Sequence, residues 1–159
     1  MKIQYDSKKE KKYSGMIDHM LEKPYCLIDI YPVLVPEGSR GNYFKINDWI
    51  LDHEYGELGR RFFNILLKLN CYCDLTLYFG RHLKKNPSPD LLFKWVMKCF
   101  SAKQNKRKYM NIFIDQDRAM LVLDGDNTYM PAYLSAYEED EELRELLHKL
   151  AASEGMFFR

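Results

Sequence analysis

The stretch Y-M-N-I-F-I-D-Q-D-R-A-M-L-V-L-D-G-D-N-T-Y-M-P-A-Y-L, residues 109–134, carries the clearest fold signal in this chain. Three apolar runs, at 109–114, 118–123 and 127–134, are separated by short segments rich in Asp, which favours turns. Runs of this length predict strands joined by tight connections, and therefore an antiparallel meander. Because Pro131 has no backbone N–H to donate, it predicts an edge or bulged position for the third strand.

The meander contains two Asp-x-Asp pairs, Asp115/Asp117 and Asp124/Asp126. If 118–123 is a strand, Asp117 and Asp124 lie at its opposite ends, roughly 23 Å apart. Carboxylates that bind one cation must all approach it to within about 2.6 Å, so the four cannot share an ion. The pairs are better interpreted as turn residues, and we predict neither a metal nor a cofactor. One pair alone, Asp124/Asp126, stays open as a weak Ca²⁺ or Mg²⁺ site.

Helices and further strands are predicted on both sides of the meander. Residues 9–22 predict a short helix that ends before Pro24, and 25–31 predicts a strand closed by Pro32. Residues 73–79 alternate between apolar and polar side chains, as a half-buried strand does.

Four segments have apolar residues at helical spacing. The first is the stripe Ile46, Trp49, Ile50 and His53, which predicts a core-facing helix. The others are Leu58–Leu69, a helix after the cap signal Ser88-Pro89, and a final helix with a capping box at Ser135 and Glu138.

Together these elements predict one α+β domain over residues 1–159, with 1–8 as either a frayed tail or the solvated start of the first helix. A mostly antiparallel sheet ending in a three-strand meander would pack against amphipathic helices in two layers.

The composition predicts a soluble, cytoplasmic protein. With 47% hydrophobic and 14% aromatic residues, the chain differs from disordered sequences. No run approaches the ~18 apolar residues of a membrane span, and lysines near residue 1 precede no apolar signal segment. Four cysteines form no dense disulfide framework, so we expect reduced thiols and no membrane partner.

Charge is segregated along the chain although the net charge is only +1. Residues 81–108 contain nine Lys or Arg and one acid, and residues 109–145 contain ten acids and two Arg. The two segments either neutralise each other or create a field that attracts a partner. The candidate acidic surface comprises Glu138, Glu139, Asp140, Glu141, Glu142 and Glu145. The candidate basic patch comprises Arg81, Lys84, Lys85, Lys103, Lys106, Arg107 and Lys108.

Single residues give weaker signals. Cys73 and Cys99 continue apolar faces, which favours core thiols over zinc ligands. Asp29 interrupts an apolar strand, and we expect it to face water, although a buried acid there would mark a site. His53 is expected in the core, whereas His82 in a basic loop is expected to be accessible.

Three functions follow as hypotheses, and no catalytic residue is assigned. The leading one is a non-catalytic protein–protein interaction module that meets another protein through the acidic surface. The second is a nucleic-acid or phosphate binder that uses the basic segment 81–108. The third is an enzyme with a site assembled across the fold, in which Asp29, a histidine or Arg40 would converge. The oligomeric state is left open.

Overall fold

The structure is a computed structural model that describes residues 7–101 and 109–159. The described helices are α1 (Ser7–Leu21), α2 (Tyr43–His53), α3 (Tyr55–Leu69), α4 (Pro89–Cys99) and α5 (Glu141–Ser153). The described strands are β1 (Tyr25–Asp29), β2 (Leu75–Phe79), β3 (His82–Lys85), β4 (Tyr109–Ile114), β5 (Ala119–Asp124), β6 (Tyr129–Leu134) and β7 (Phe157–Phe158).

The seven described strands form one open sheet in the order β3-β2-β4-β5-β6-β1-β7, and every neighbouring pair is antiparallel. The predicted α+β class is confirmed, and β4, β5 and β6 form the predicted C-terminal meander. Local turn chemistry explains the meander. Asp124 Oδ1 accepts from the Asp126 N–H at 2.9 Å, and Asp115 and Gln116 adopt the left-handed conformation between β4 and β5.

The main core lies between one face of the sheet and helices α3, α4 and α5. Met110, Ile112 and Ile114 of β4 point into it, because alternate residues of a strand share a face. The expectation of two layers is wrong, since α1 covers part of the opposite face. Phe113 and Met120 are fully buried there with Met20 of α1.

Pro131 does not lie at an edge, because β6 sits between β5 and β1. The pairing of β6 with β5 ends at Ala132, one residue before the proline is reached. On the β1 side Pro131 faces Leu27, whose N–H and C=O both bond to Arg159, at 2.6 and 2.9 Å. The missing N–H therefore removes no hydrogen bond from either ladder.

Two further predictions meet different outcomes at helix starts. Ser88 caps α4 as predicted, since its side chain accepts from the Leu91 N–H at 3.2 Å. The capping box at Ser135 is wrong, because α5 begins later and Asp140 caps it.

The basic loop predicted around His82 contains a short edge strand, β3, whose lysines are usual at sheet edges. The predicted tail at 1–8 falls largely outside the described residues, and α1 already includes Ser7.

Candidate functional site

The α2 stripe, formed by Ile46, Trp49, Ile50 and His53, is exposed at Ile46, Trp49 and His53 and half-buried at Ile50. Ile46 is 51% exposed and Trp49 is 53% exposed, and α2 contains no buried residue. The core prediction is therefore wrong for Ile46, Trp49 and His53. The His53 ring stacks on Trp49 with centroids 4.4 Å apart, and its Nδ1 lies 2.9 Å from the Trp49 carbonyl oxygen.

The opposite side of α2 holds the helix in this orientation. Asn47 Oδ1 accepts hydrogen bonds from the Thr128 hydroxyl at 3.2 Å and from the Tyr31 hydroxyl at 3.3 Å. The Tyr43 ring packs on Tyr31 with centroids 5.6 Å apart, and Leu51 contacts the main core. These four contacts fix which face of α2 is turned outward.

Further apolar side chains and an acidic rim accompany the α2 stripe. Phe44 is 80% exposed, and Val33 and Leu34 of the preceding loop are also exposed. The exposed charged residues from 37 to 54 are four acids and two bases. They are Glu37, Asp48, Asp52, Glu54, Arg40 and Lys45. Clusters of exposed apolar residues rimmed by polar ones are typical of protein-binding surfaces.

The candidate acidic surface is only partly available to a partner. Glu138, Glu139, Glu141 and Glu142 are exposed, and Glu145 pairs with Lys149 at 3.1 Å.

Asp140, by contrast, forms hydrogen bonds within the protein. Both its carboxylate oxygens accept from the Arg118 guanidinium, at 2.7 and 2.8 Å, and Oδ1 also accepts from the Leu143 N–H. The Arg118 hydrogen bonds hold the pKa of Asp140 below its ordinary value. Asp140 is therefore a structural residue of the α5 start.

The candidate basic patch is described only at Arg81, Lys84 and Lys85. Lys103, Lys106, Arg107 and Lys108 lie outside the described residues. Arg81 pairs with Glu10 at 3.9 Å and Lys85 with Asp74 at 3.7 Å, and all three described members are exposed.

Asp29 is buried, contrary to the expectation that it faces water. It is 1% exposed, accepts from the Tyr31 N–H at 3.2 Å and forms an ion pair with Arg159. The partner supplies the compensating charge that a buried carboxylate requires. Sequence reasoning did not find Arg159, because 130 positions separate the two residues.

Three of the remaining candidates have separate neighbours. Asp29 pairs with Arg159, His53 stacks on Trp49, and His82 approaches Trp95. Among the described residues, no group of three or more His, Cys, Asp or Glu side chains is placed to hold a metal ion.

The four cysteines, all of them in the described residues, form no disulfide, and three of them are buried as expected of core cysteines. Burial raises the pKa of Cys26 to about 11. Cys71, in contrast, is exposed.

Comparison with protein-family models, curated proteins and solved structures finds no match to this chain. None of the helices in the described residues combines the length and the apolarity that a membrane crossing requires.

Proposed function

We propose that the chain is a non-catalytic protein–protein interaction module whose binding element is the α2 stripe. The observation that carries this proposal is the outward orientation of Ile46, Trp49 and His53 on a helix with no buried residue. Their spacing of three and four positions, with Ile50 between, is the spacing of anchors on a helix that binds in a groove. Trp is also among the residues that contribute most binding energy at interfaces.

The exposed stripe is costly unless a partner covers it. Apolar area removed from water contributes about 25 cal/mol per Å², so covering Trp49 and Ile46 is a favourable contribution to binding. Asn47 and Leu51 already hold the helix, which reduces the ordering cost that a flexible segment would pay on association.

The charges around α2 specify the partner's chemistry. Asp48, Asp52 and Glu54 outnumber the one base of the helix, Lys45, so the rim is negative. We therefore propose a different protein that presents an apolar groove with a basic rim. Opposite rim charges accelerate encounter and fix orientation more than they add affinity.

Affinity purification from the host lysate, after nuclease treatment, tests this proposal. Three tagged chains are compared: wild type, the double variant Ile46→Ser/Trp49→Ser, and the control Tyr72→Ser. Tyr72 is 69% exposed but lies in the turn before β2, so its loss removes an exposed aromatic ring from another part of the surface. We expect one stoichiometric protein with wild type and the control, and its loss with the double variant.

Two outcomes would contradict the proposal. Retention of the protein by the double variant would show that another surface binds it. A wild-type dimer in sedimentation equilibrium that the double variant converts to a monomer would assign the stripe to a second copy of the chain. Ile46 and Trp49 are each more than half exposed, so the two substitutions together should change the free energy of unfolding by only about 1 kcal/mol. Urea unfolding of the double variant checks that it still folds.

A further inference from the structure

A groove crosses the sheet face that α1 covers, and it is separate from the α2 stripe. Ile17 and Leu21 of α1 form one wall, and the β2–β3 hairpin with Arg81 and His82 forms the other. Its volume is about 710 Å³. Pockets that bind small molecules usually measure roughly 300–1,000 Å³. We call it the outer groove.

The floor of the outer groove contains a buried amide with little hydrogen bonding. In the sheet register Asn111 lies between Tyr78 of β2 and Val122 of β5, and all three line the groove. Asn111 is 4% exposed, and in the described part of the chain its side chain makes one hydrogen bond, donated to the Met120 sulfur at 3.5 Å. A thioether is a weak acceptor, and a carboxamide can donate two bonds and accept two. The amide therefore retains capacity for a ligand that enters the groove.

An exposed aromatic ring stands beside this amide. Tyr109 is 57% exposed and lies two residues before Asn111 on β4, so the two side chains share a face about 7 Å apart. Tyr side chains are platforms on which planar heterocycles stack. An Asn carboxamide can form paired hydrogen bonds with the edge of a base such as adenine. Tyr109 can therefore stack on a planar base, and Asn111 can form hydrogen bonds with the edge of the same base.

The charges of the groove indicate where an anionic group would lie. Arg81 lies on the β2–β3 side of the groove beside His82, and it also pairs with Glu10 at 3.9 Å. On the other side, Asp124 of β5 lies opposite Tyr109 in the register. A negative group is therefore favoured at the hairpin and disfavoured at β5.

We propose that the outer groove binds a nucleoside monophosphate unit, with the base stacked on Tyr109, its edge bonded to Asn111, and the phosphate beside Arg81. The unit is either a free nucleotide or one nucleotide of a single strand. This site is independent of the α2 stripe and of any partner bound there.

An NMR titration of the full chain with adenosine monophosphate tests the site. The readouts are the Asn111 side-chain amide and the Gly80 backbone amide, at the floor and at the hairpin. We expect saturable shifts of both in wild type. Tyr109→Leu, Asn111→Leu and Arg81→Gln should each weaken binding about tenfold. Lys84→Gln, an exposed β3 charge outside the groove lining, should leave it unchanged.

Two comparisons separate the parts of the proposal. Adenosine without phosphate should bind more weakly and be insensitive to Arg81→Gln, because the charge no longer has a target. A short oligoadenylate that binds more tightly, with the same response to the variants, would support a single strand as the source of the unit. Tighter binding of the free nucleotide would support the other source.

The proposal is overturned if neither ligand gives saturable shifts at millimolar concentration. It is also overturned if inorganic phosphate alone reproduces all the shifts, or if Tyr109→Leu binds like wild type. Because Tyr109 is exposed, this variant should fold normally and remains a valid test even if Asn111→Leu does not.

Discussion

Replacing Asp140 by Ala should destabilise the fold far more than replacing its neighbour Glu139. Asp140 caps α5 through the Leu143 N–H and receives two hydrogen bonds from Arg118. Loss of a cap costs about 1 kcal/mol. Loss of the charge-assisted hydrogen bonds from Arg118 adds about 2 kcal/mol. This value is near the lower end of the range for hydrogen bonds to charged groups, because the Arg118 side chain is 30% exposed to water. We expect a loss of about 3 kcal/mol in the free energy of unfolding.

The stability difference between wild type and Asp140→Ala should also depend on pH. Arg118 lowers the pKa of Asp140 below its ordinary value of 3.8. A carboxyl with a depressed folded pKa stabilises the fold above its unfolded pKa, and this contribution is lost as the pH falls through the folded pKa. The difference between wild type and Asp140→Ala should therefore be full near neutral pH and shrink below about pH 4.

Urea unfolding at pH 7 and at a series of lower pH values measures both effects. Glu139→Ala is the matched control, since it removes one exposed acid from the same segment and should change stability by less than about 0.5 kcal/mol. Asp140→Asn should lie between the two, because Asn still caps a helix but carries no charge. Equal midpoints for Asp140→Ala and Glu139→Ala would refute the structural role of Asp140.

Three further predictions concern other parts of the fold. Gly125→Ala should cost at least about 3 kcal/mol in urea unfolding, because its Cβ would lie 1.6 Å from the Cys99 carbonyl oxygen and force the backbone apart. Arg159→Met should cost about 3–5 kcal/mol, since Asp29 would remain buried without its cation, and adding Asp29→Asn should recover most of the loss. A thiol reagent should label one cysteine, Cys71, quickly in the native protein and the other three only after unfolding.

The glycine and cysteine predictions each have a control that the structure supplies. Gly15→Ala, with nothing within 4 Å of the new Cβ on the exposed side of α1, should be neutral or stabilising by up to about 1 kcal/mol. A tolerated Gly125→Ala would contradict the close approach of the two backbones. Cys71→Ser should abolish the fast labelling phase, and a persisting fast phase would show that a buried thiol opens readily.

The elements that sequence reasoning predicted correctly depend on neighbouring residues. The meander followed from three short apolar runs and the turn residues between them, at 109–134, and the α4 start followed from Ser88 and Pro89. Both signals depend on interactions between residues a few positions apart, so the sequence alone is enough to predict them. The start of α5 shows the limit, because the cap predicted at Ser135 lies five residues before Asp140, which caps the helix.

The features that sequence reasoning missed depend on distant parts of the chain. A stripe such as Ile46, Trp49 and His53 has the same spacing whether it faces the core or a partner. Contacts with distant residues, such as that of Asn47 with Thr128, decide which side of the helix is turned outward. The outer groove likewise exists because α1 packs across β4 and β5, which periodicity alone does not reveal.

The most direct test of the α2 stripe is photo-crosslinking from position 49 in the host. A photoreactive amino acid replaces Trp49 in one chain, Tyr72 in a second and Glu142 in a third, and the adducts are compared. We expect one discrete protein adduct from position 49, to a protein other than the chain itself, and none from position 72. An adduct from position 142 with none from position 49 would contradict binding through α2 and return the interaction to the acidic surface.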